Sequence, residues 1–391
     1  MRVKIKNYIL IITMALSVMV IINGCNIKAD IQEDSELEVI KIGVLEPLSG
    51  ANAEGGKLEL EGIKLANEMY PKVLGRKVQL VIADNKSDKE TSAQLADRLV
   101  NEYGVSAIIG SWGSGLSMGA GEVIKAAKIP MIAPSATNPK VTKDNDYYFR
   151  ACFIDPFQGE VLAKMAYERL EAKTAFIIYE KSNEYSQGLA VFFENEFVKL
   201  TEKKSSVVAV TGYDQGTLDF TGILEEVAAQ DPDVIFAPGN FTESAMLIKQ
   251  ARRMGIKTDF LGGDTWENPE FLNVGLESVE GAMITTSFSA EKPANWASRD
   301  FISKYTKRYS RKPLSLSALG FDSYRIIIDA IKRAGTAEDS EKLRQAIAST
   351  QNFKGTTGKI SLDKNGDAIK DVVVLKVKNG KFVYQTTVRY K

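Results

Sequence analysis

A chain of 391 residues with 44% hydrophobic and 26% charged residues is globular in composition and long enough for two domains of ordinary size. Fifty basic and fifty acidic residues cancel, and the basic ones are interleaved with acids along amphipathic stretches, which argues against nucleic acid as a partner. Histidine is absent, removing the commonest general base and the commonest metal ligand together, so neither an enzyme nor a metal or cofactor site is expected.

In chain order, Arg2, Lys4 and Lys6 precede an apolar run from Tyr8 to Ile22 that ends in "INGC". The run is shorter than the roughly 20 residues of a spanning helix and reads as an export signal over residues 1–24. "IINGC" resembles a lipobox, with Asn23 where Ala or Ser is more usual, which implies lipidation of Cys25 and anchoring of the mature N-terminus in a membrane. A cleaved signal with a chance cysteine is the plainer alternative. Residues 25–38 are polar and acidic and suit a flexible tether. Removing residues 1–24 takes away three cations and no anion, leaving a net charge of about −3. With Cys25 lipidated, Cys152 has no partner and no intrachain disulfide is expected.

From Val39 onward, short apolar runs alternate with amphipathic stretches of helical length, the signature of parallel strands joined by crossover helices. Strands are expected at 39–45, 78–84, 105–110 and 129–133, with helices between them. The pattern restarts after Phe149, with strands at 174–179, 206–210, 233–238, 258–264 and 282–288 and a helix from Gly188 to Leu200. Helical stretches follow at Trp296–Tyr309, Ser317–Ala334 and Ser340–Ala348, and the chain closes on a hairpin turned by Asn379-Gly380, a pair that tolerates the required positive φ. Two doubly wound α/β units in series are the expected fold.

In such sheets the ligand crevice lies at the strand carboxyl ends, beside the helix N-termini. Four segments bring polar or aromatic residues there: "GSWGSG" (110–115), "PSATNP" (134–139), "NEYSQG" (183–188) and "GGDTW" (262–266). Ser114 is either an N-cap for the next helix or, with nearby N–H groups, a receiver of an anion, and Trp112 beside it reads as a pocket wall. Asp264, uncovered behind two glycines, is either a turn cap or the partner of a cation. Tyr185 and Trp266 are surface rings or covers for an apolar side chain. A dinucleotide site is excluded by the wrong glycine spacing and by a next strand ending in Ala133-Pro134-Ser135, with no acid for a ribose. Donors on one side and a carboxylate on the other match a zwitterion such as a free amino acid.

The series "GSWGSG", "IPMIAPSATNP", "YYFR", "DPFQG" and "GGDTW" resembles the leucine/isoleucine/valine-binding protein family, the type I periplasmic binding proteins of ABC importers, over nearly the whole chain after Val39. The resemblance implies two lobes joined by three crossovers near Asp155, Phe288 and Phe353-Lys354-Gly355. The N-terminal lobe would be 39–155 plus 289–353, and the C-terminal lobe 156–288 plus 354–391. It places the ligand carboxylate at Ser114, Ser135, Ala136 and Thr137, and the ammonium at Asp264 with Tyr185 nearby. Two departures fall at the side-chain end of the pocket. Glu54 and Gly55 stand where the family often has an aromatic residue, and Asn240-Phe241 where it often has a tyrosine.

The implied function is that of an extracytoplasmic lipoprotein that captures an amino acid, branched-chain or otherwise apolar. It would act as a monomer and deliver the ligand to separate permease and ATPase chains. A signalling receptor domain, or a binding protein for an amide, urea or aromatic acid, remains the alternative from these residues.

Overall fold

The computed structural model describes residues 39–390, so the stretches read as an export signal and a tether, and Cys25 with them, lie outside the described residues. The first sheet is built from β1 (Ile40–Glu46), β2 (Lys72–Val73), β3 (Arg76–Asp84), β4 (Ala107–Gly110), β5 (Met131–Ala133) and β6 (Tyr148–Arg150), in the order β2-β3-β1-β4-β5-β6. Strand β1 pairs in parallel with β3 and with β4, and its near-continuous apolar run is buried on both faces, as a central parallel strand requires. Crossover helices α1 (Ala53–Met69), α2 (Lys89–Asn101) and α3 (Ser114–Ala127) cover it. Helix α2 starts where the Asp88 side chain accepts the Thr91 N–H.

The chain then leaves this sheet. Ala151 and Cys152 belong to the first core, whereas Phe153 packs in a second, so the first crossover falls at 152–153. The second unit runs through α4 (Asp155–Lys164), β7 (Ala175–Glu180), α5 (Glu184–Thr201), β8 (Val207–Tyr213), α6 (Thr221–Gln230), β9 (Val234–Phe236), α7 (Phe241–Arg253), β10 (Asp259–Gly262), α8 (Pro269–Gly275) and β11 (Met283–Thr286). Helix α5 begins four residues earlier than the apolar spacing predicts, because Asn183 accepts the Tyr185 and Ser186 N–H groups and caps it there.

After the second crossover, Phe288 rejoins the first core together with α9 (Trp296–Tyr309), α10 (Ser315–Ala334) and α11 (Ser340–Ala348). The third crossover departs from expectation. Residues 353–369 form a small antiparallel sheet, β12 (Phe353–Gly355), β13 (Gly358–Leu362) and β14 (Ala368–Ile369), whose Ile360, Leu362 and Ala368 enter the first core. The passage therefore comes after Ile369, because burial of those apolar side chains holds the segment on the first lobe. Here Lys370 donates to the Thr357 hydroxyl, and Asp322 accepts the Thr356 and Thr357 N–H groups at 2.7 and 2.9 Å.

Strands β15 (Val372–Lys378) and β16 (Lys381–Val388) complete a second sheet ordered β16-β15-β11-β10-β9-β7-β8. Asn379 and Gly380 take φ of 53° and 66° at the turn of this terminal hairpin. The result is two α/β lobes joined by three crossovers. The strand carboxyl ends of both face one cleft, where Leu58, Trp112 and Leu316 of the first lobe join an apolar cluster of the second.

Candidate functional site

The cleft holds a cavity of about 270 Å³. Trp112, Ser114, Ser135, Tyr185, Asn240 and Asp264, all expected from the sequence, line it together with Leu316 of α10. Its first-lobe wall is made by the turns after β4 and β5. Gly110 has φ +137° and lies so close to β1 that a Cβ would meet the Leu45 carbonyl oxygen at 2.1 Å. Gly55, in place of an aromatic residue, leaves room for the Trp112 indole, which a Cβ there would meet at 2.5 Å. Trp112 then packs edge-on against Phe241 of the second lobe, ring centroids 6.2 Å apart.

Ser114 is not the helix cap: Gly113 holds that position, and the Ser114 hydroxyl instead accepts the Asn138 N–H at 3.2 Å. It thereby ties the "GSWGSG" turn to the "PSATNP" turn. The second turn is organised from behind by Arg150, a fully buried residue for which the sequence reading assigned no role. Its guanidinium donates to the carbonyls of Ala136 at 2.7 Å and Asn138 at 3.0 Å and to the Thr142 hydroxyl at 2.9 Å, and it pairs with Asp367 at 2.7 Å. Because a trans peptide sets its N–H opposite its carbonyl, drawing the Ala136 oxygen towards Arg150 turns the Thr137 N–H the other way. Ala136 and Thr137 are themselves buried behind Ser135 rather than in the cavity wall, and the Thr137 hydroxyl has no hydrogen-bond partner in the protein. The Thr137 carbonyl accepts the N–H of Asp155 at 3.0 Å, joining this turn to the first crossover.

The second lobe supplies charge. Asp264, just past β10, accepts hydrogen bonds from Gln158 Nε2 and from the Tyr185 hydroxyl, each at 2.9 Å and both at Oδ1. Burial pushes its carboxyl above the usual range while these two bonds draw it back, and no cation stands among the influences on it. Tyr185 thus acts through its hydroxyl, not only its ring. Asn240 reaches Asn52 of the first lobe at 3.4 Å, and Lys89 pairs with Glu184 across the rim at 2.5 Å.

Trp266 is a correction. It is wholly buried, lies over Gly262 and stacks on Phe271 with centroids 4.8 Å apart, so it is core of the second lobe and no part of the cavity wall. Its position next to the strand end suggested a pocket ring; the glycine strand beneath it provides the space that draws it inward. Further buried carboxyls surround the site without having been singled out. Burial pushes Asp155 and Glu267 up to about 8 and moves Glu59 in the same direction. The signals were there in Glu46, which ends an apolar strand, and in Glu59, which sits between Leu58 and Leu60 on α1.

The periplasmic binding protein family model matches residues 39–381. A leucine-, isoleucine-, valine-, threonine- and alanine-binding protein of Pseudomonas aeruginosa PAO1 is 28% identical over 337 residues, covering 84% of this chain and 87% of its own. The leucine-binding protein LivK of Thermotoga maritima is 37% identical with a TM-score of 0.86, covering 90% of this chain and 99% of its own. LivJ of Streptococcus pneumoniae, a branched-chain amino acid transporter substrate-binding protein solved with isoleucine, is 29% identical with a TM-score of 0.83 and the same coverage. Matched over residues 39–381 by that model, and sharing the two-lobed architecture of its solved relatives, the chain belongs to the periplasmic binding protein family.

Proposed function

We infer that the protein is an extracytoplasmic solute-binding lipoprotein that captures a free amino acid, branched-chain or otherwise apolar, between its lobes for an ABC importer. The observation that carries this reading is the division of charge across one cavity. The Ser114 hydroxyl and the backbone N–H groups of the turn at 135–137 offer donors to a carboxylate, and Asp264 opposite, its Oδ1 already engaged, offers an anion to an ammonium. Hydrogen bonds to charged groups contribute about 1.5–3 kcal/mol each, enough jointly to offset desolvating a zwitterion. Trp112, Leu116 and Leu316 give the cavity an apolar wall for the side chain. The names of the relatives agree with this class of ligand.

Because these contacts come from both lobes, the ligand favours the closed arrangement, and that arrangement is what a separate permease would recognise. A lipid on Cys25 would keep the protein beside its transporter. Asn52, Asn183, Gln215 and Asn240 also line the cavity and favour one second reading, a ligand bearing an amide.

A thermal-shift screen of the mature protein decides between them, since a ligand at 100 times its Kd adds about 2.7 kcal/mol of stability. Leucine, isoleucine or valine should raise Tm. A response confined to simple amides selects the second reading, and a response confined to acids lacking an amine rejects both. Radiolabelled palmitate should be incorporated by the wild type and not by Cys25→Ser; incorporation by the variant rejects the anchor.

A further inference from the structure

Two carboxyl groups are buried together behind the first-lobe wall. Glu46 closes β1, Glu59 lies on α1, and both are wholly buried. Glu46 Oε2 accepts the N–H of Trp112 at 2.7 Å, and Glu59 Oε1 accepts the hydroxyl of Ser135. Trp112 and Ser135 belong to the two turns that form the first-lobe side of the ligand cavity, and both line it. The remaining oxygens, Glu46 Oε1 and Glu59 Oε2, are buried without another protein partner, and the two carboxyl groups lie within hydrogen-bonding reach of each other. Two carboxylates in contact inside a dry site cannot both be ionised, so one proton must lie between them.

We propose that Glu46 and Glu59 form a proton-sharing carboxyl pair that clasps the two first-lobe ligand turns together, making both of them positioning residues for ligand capture. In the arrangement assigned here the proton rests on Glu46. Glu46 presents one oxygen as acceptor to the Trp112 N–H and carries the proton on the other, which it donates to Glu59. Glu59, ionised, accepts that proton on one oxygen and the Ser135 hydroxyl on the other. Donating to Glu59 pins the Ser135 hydroxyl, leaving its lone pairs for a ligand's ammonium or water. The directions of the shifts agree: burial is the main cause holding both groups high, and their mutual bond pushes Glu46 further up while drawing Glu59 down.

Among the described residues, no cation stands among the influences on either carboxyl. Asp84 on β3 stands in register with Glu46 but spends its carboxylate on the N–H groups of Leu48, Ser49 and Lys86. On β6 the Tyr148 hydroxyl donates to the Gly110 carbonyl, and β4 meets Glu46 through Gly110, which has no side chain. From across the cleft Asp264 acts on Glu59 with a charge of the same sign. On α1 itself, Glu61 is turned out to Arg311 and Glu54 to Lys57. Removing the shared proton therefore leaves two buried anions pushing apart, and with them the turns they hold.

This inference rests on the amino-acid reading of the cavity, and its test separates the two. Leucine binding by the mature protein is measured calorimetrically from pH 6.5 to 9 for the wild type, Glu46→Gln and Glu46→Ala. Glutamine at 46 copies the protonated acid, accepting from Trp112 and donating to Glu59, but has no proton to lose. At pH 6.5 Glu46→Gln should bind within threefold of the wild type and Glu46→Ala at least tenfold more weakly. Towards pH 9 the wild type should lose at least fivefold more affinity than Glu46→Gln, the titration of leucine's own amine being common to both.

Superimposable pH profiles, or an unimpaired Glu46→Ala, overturn the proposal. If no amino acid binds the wild type at pH 6.5, the ligand reading fails alone. The pair is then judged by Tm, which should fall between pH 7 and 9 more steeply for the wild type than for Glu46→Gln; parallel curves overturn it. Should Glu46→Gln not fold, Glu59→Gln replaces it in the Tm series, its amide donating to Glu46 in place of the shared proton; a curve parallel to the wild type's overturns the pair.

Discussion

Replacing Asp264 with asparagine tests the division of charge most directly. The side chain keeps its shape, and its oxygen can still accept from Gln158 and Tyr185, so the scaffold around it has no reason to move. What disappears is the negative charge. In the unliganded protein that charge is a burden, since it is buried with two neutral donors and no cation, and burial holds its carboxyl above the usual range. The variant's Tm without ligand should therefore equal or exceed that of the wild type. With ligand the balance reverses. Breaking a buried charge pair costs about 3–5 kcal/mol when one partner is removed, and the retained acceptor points to the lower end, about 3 kcal/mol. At 1.4 kcal/mol per factor of ten, this is roughly a 150-fold rise in Kd for leucine by calorimetry at pH 7. The wild-type affinity should also improve as pH rises through the raised Asp264 value, because the ammonium binds the ionised form; the variant should lack that limb. An affinity within threefold of wild type, at an unchanged Tm, refutes the assignment of Asp264 to the ammonium.

Arg150→Met should lower stability by about 3–5 kcal/mol in urea unfolding, because Asp367 and the Ala136 and Asn138 carbonyls lose a buried donor while a hydrophobic chain fills the space; a loss below 1 kcal/mol would mean that the turn holds its own shape. Gly55→Val forces the Trp112 indole out of van der Waals contact range of the new Cβ, and overpacking of this kind costs about 1–3 kcal/mol; leucine affinity should drop with it, whereas Gly55→Val binding as wild type would show that the ring has another resting place. Glu267 accepts from the Thr286 hydroxyl and the Ser315 N–H at the second crossover, and burial pushes it up to about 8. A raised folded value means that its contribution is fully present below the unfolded value near 4.3 and is lost as pH rises through about 8, with a slope of at most about 1.4 kcal/mol per pH unit. Between pH 5.5 and 8 the wild type should therefore lose more stability than Glu267→Gln, read from urea midpoints; equal losses would show that Glu267 is ionised throughout.

What the sequence disclosed followed the physics of each signal. Period and length located the parallel strands, because a strand buried on both faces has to be largely apolar, as 42–45 of β1 and 175–178 of β7 are. The Asn-Gly turn announced its own geometry. The turns that line the cavity were legible from small residues at strand ends, and Asp264, which lines it too, from its place behind two glycines. Trp266 was not, because the same strand-end position serves a pocket ring and a core ring equally well, and only the empty face of Gly262 decides between them. The small sheet at 353–369 was missed because its three strands are short and its buried residues, Ile360, Leu362 and Ala368, are too few to make a run. Arg150, Glu46 and Glu59 act from behind the wall, and a charged residue in an apolar stretch declares burial without declaring its partner. Their roles depend on contacts between residues far apart in the chain, such as Arg150 with Asp367 and Ser135 with Glu59.

The distribution of charge also explains why the lobes should need a ligand in order to stay together. Beyond the apolar packing of Leu58, Trp112 and Leu316 into the second lobe's cluster, the polar contacts across the cleft include the Asn138 amide donating to the Glu184 carbonyl at 2.7 Å, the Lys89–Glu184 pair, whose side chains are 55% and 30% exposed, and Asn52 meeting Asn240 at 3.4 Å. An ion pair at that exposure contributes about 0–1 kcal/mol. Against it, closing the cleft withdraws Asp264 from water with no cation to receive it. Moving such an equilibrium from 1:99 to 99:1 takes a preference of about 5.5 kcal/mol for the closed state. Two to three charge-assisted hydrogen bonds made only when both lobes surround the ligand, at about 1.5–3 kcal/mol each, reach that figure. An anionic acid of the same size would supply the carboxylate contacts and leave Asp264 facing a like charge, so the gap between amine and non-amine ligands should be larger than any gap among apolar side chains, where one methylene is worth about 1 kcal/mol.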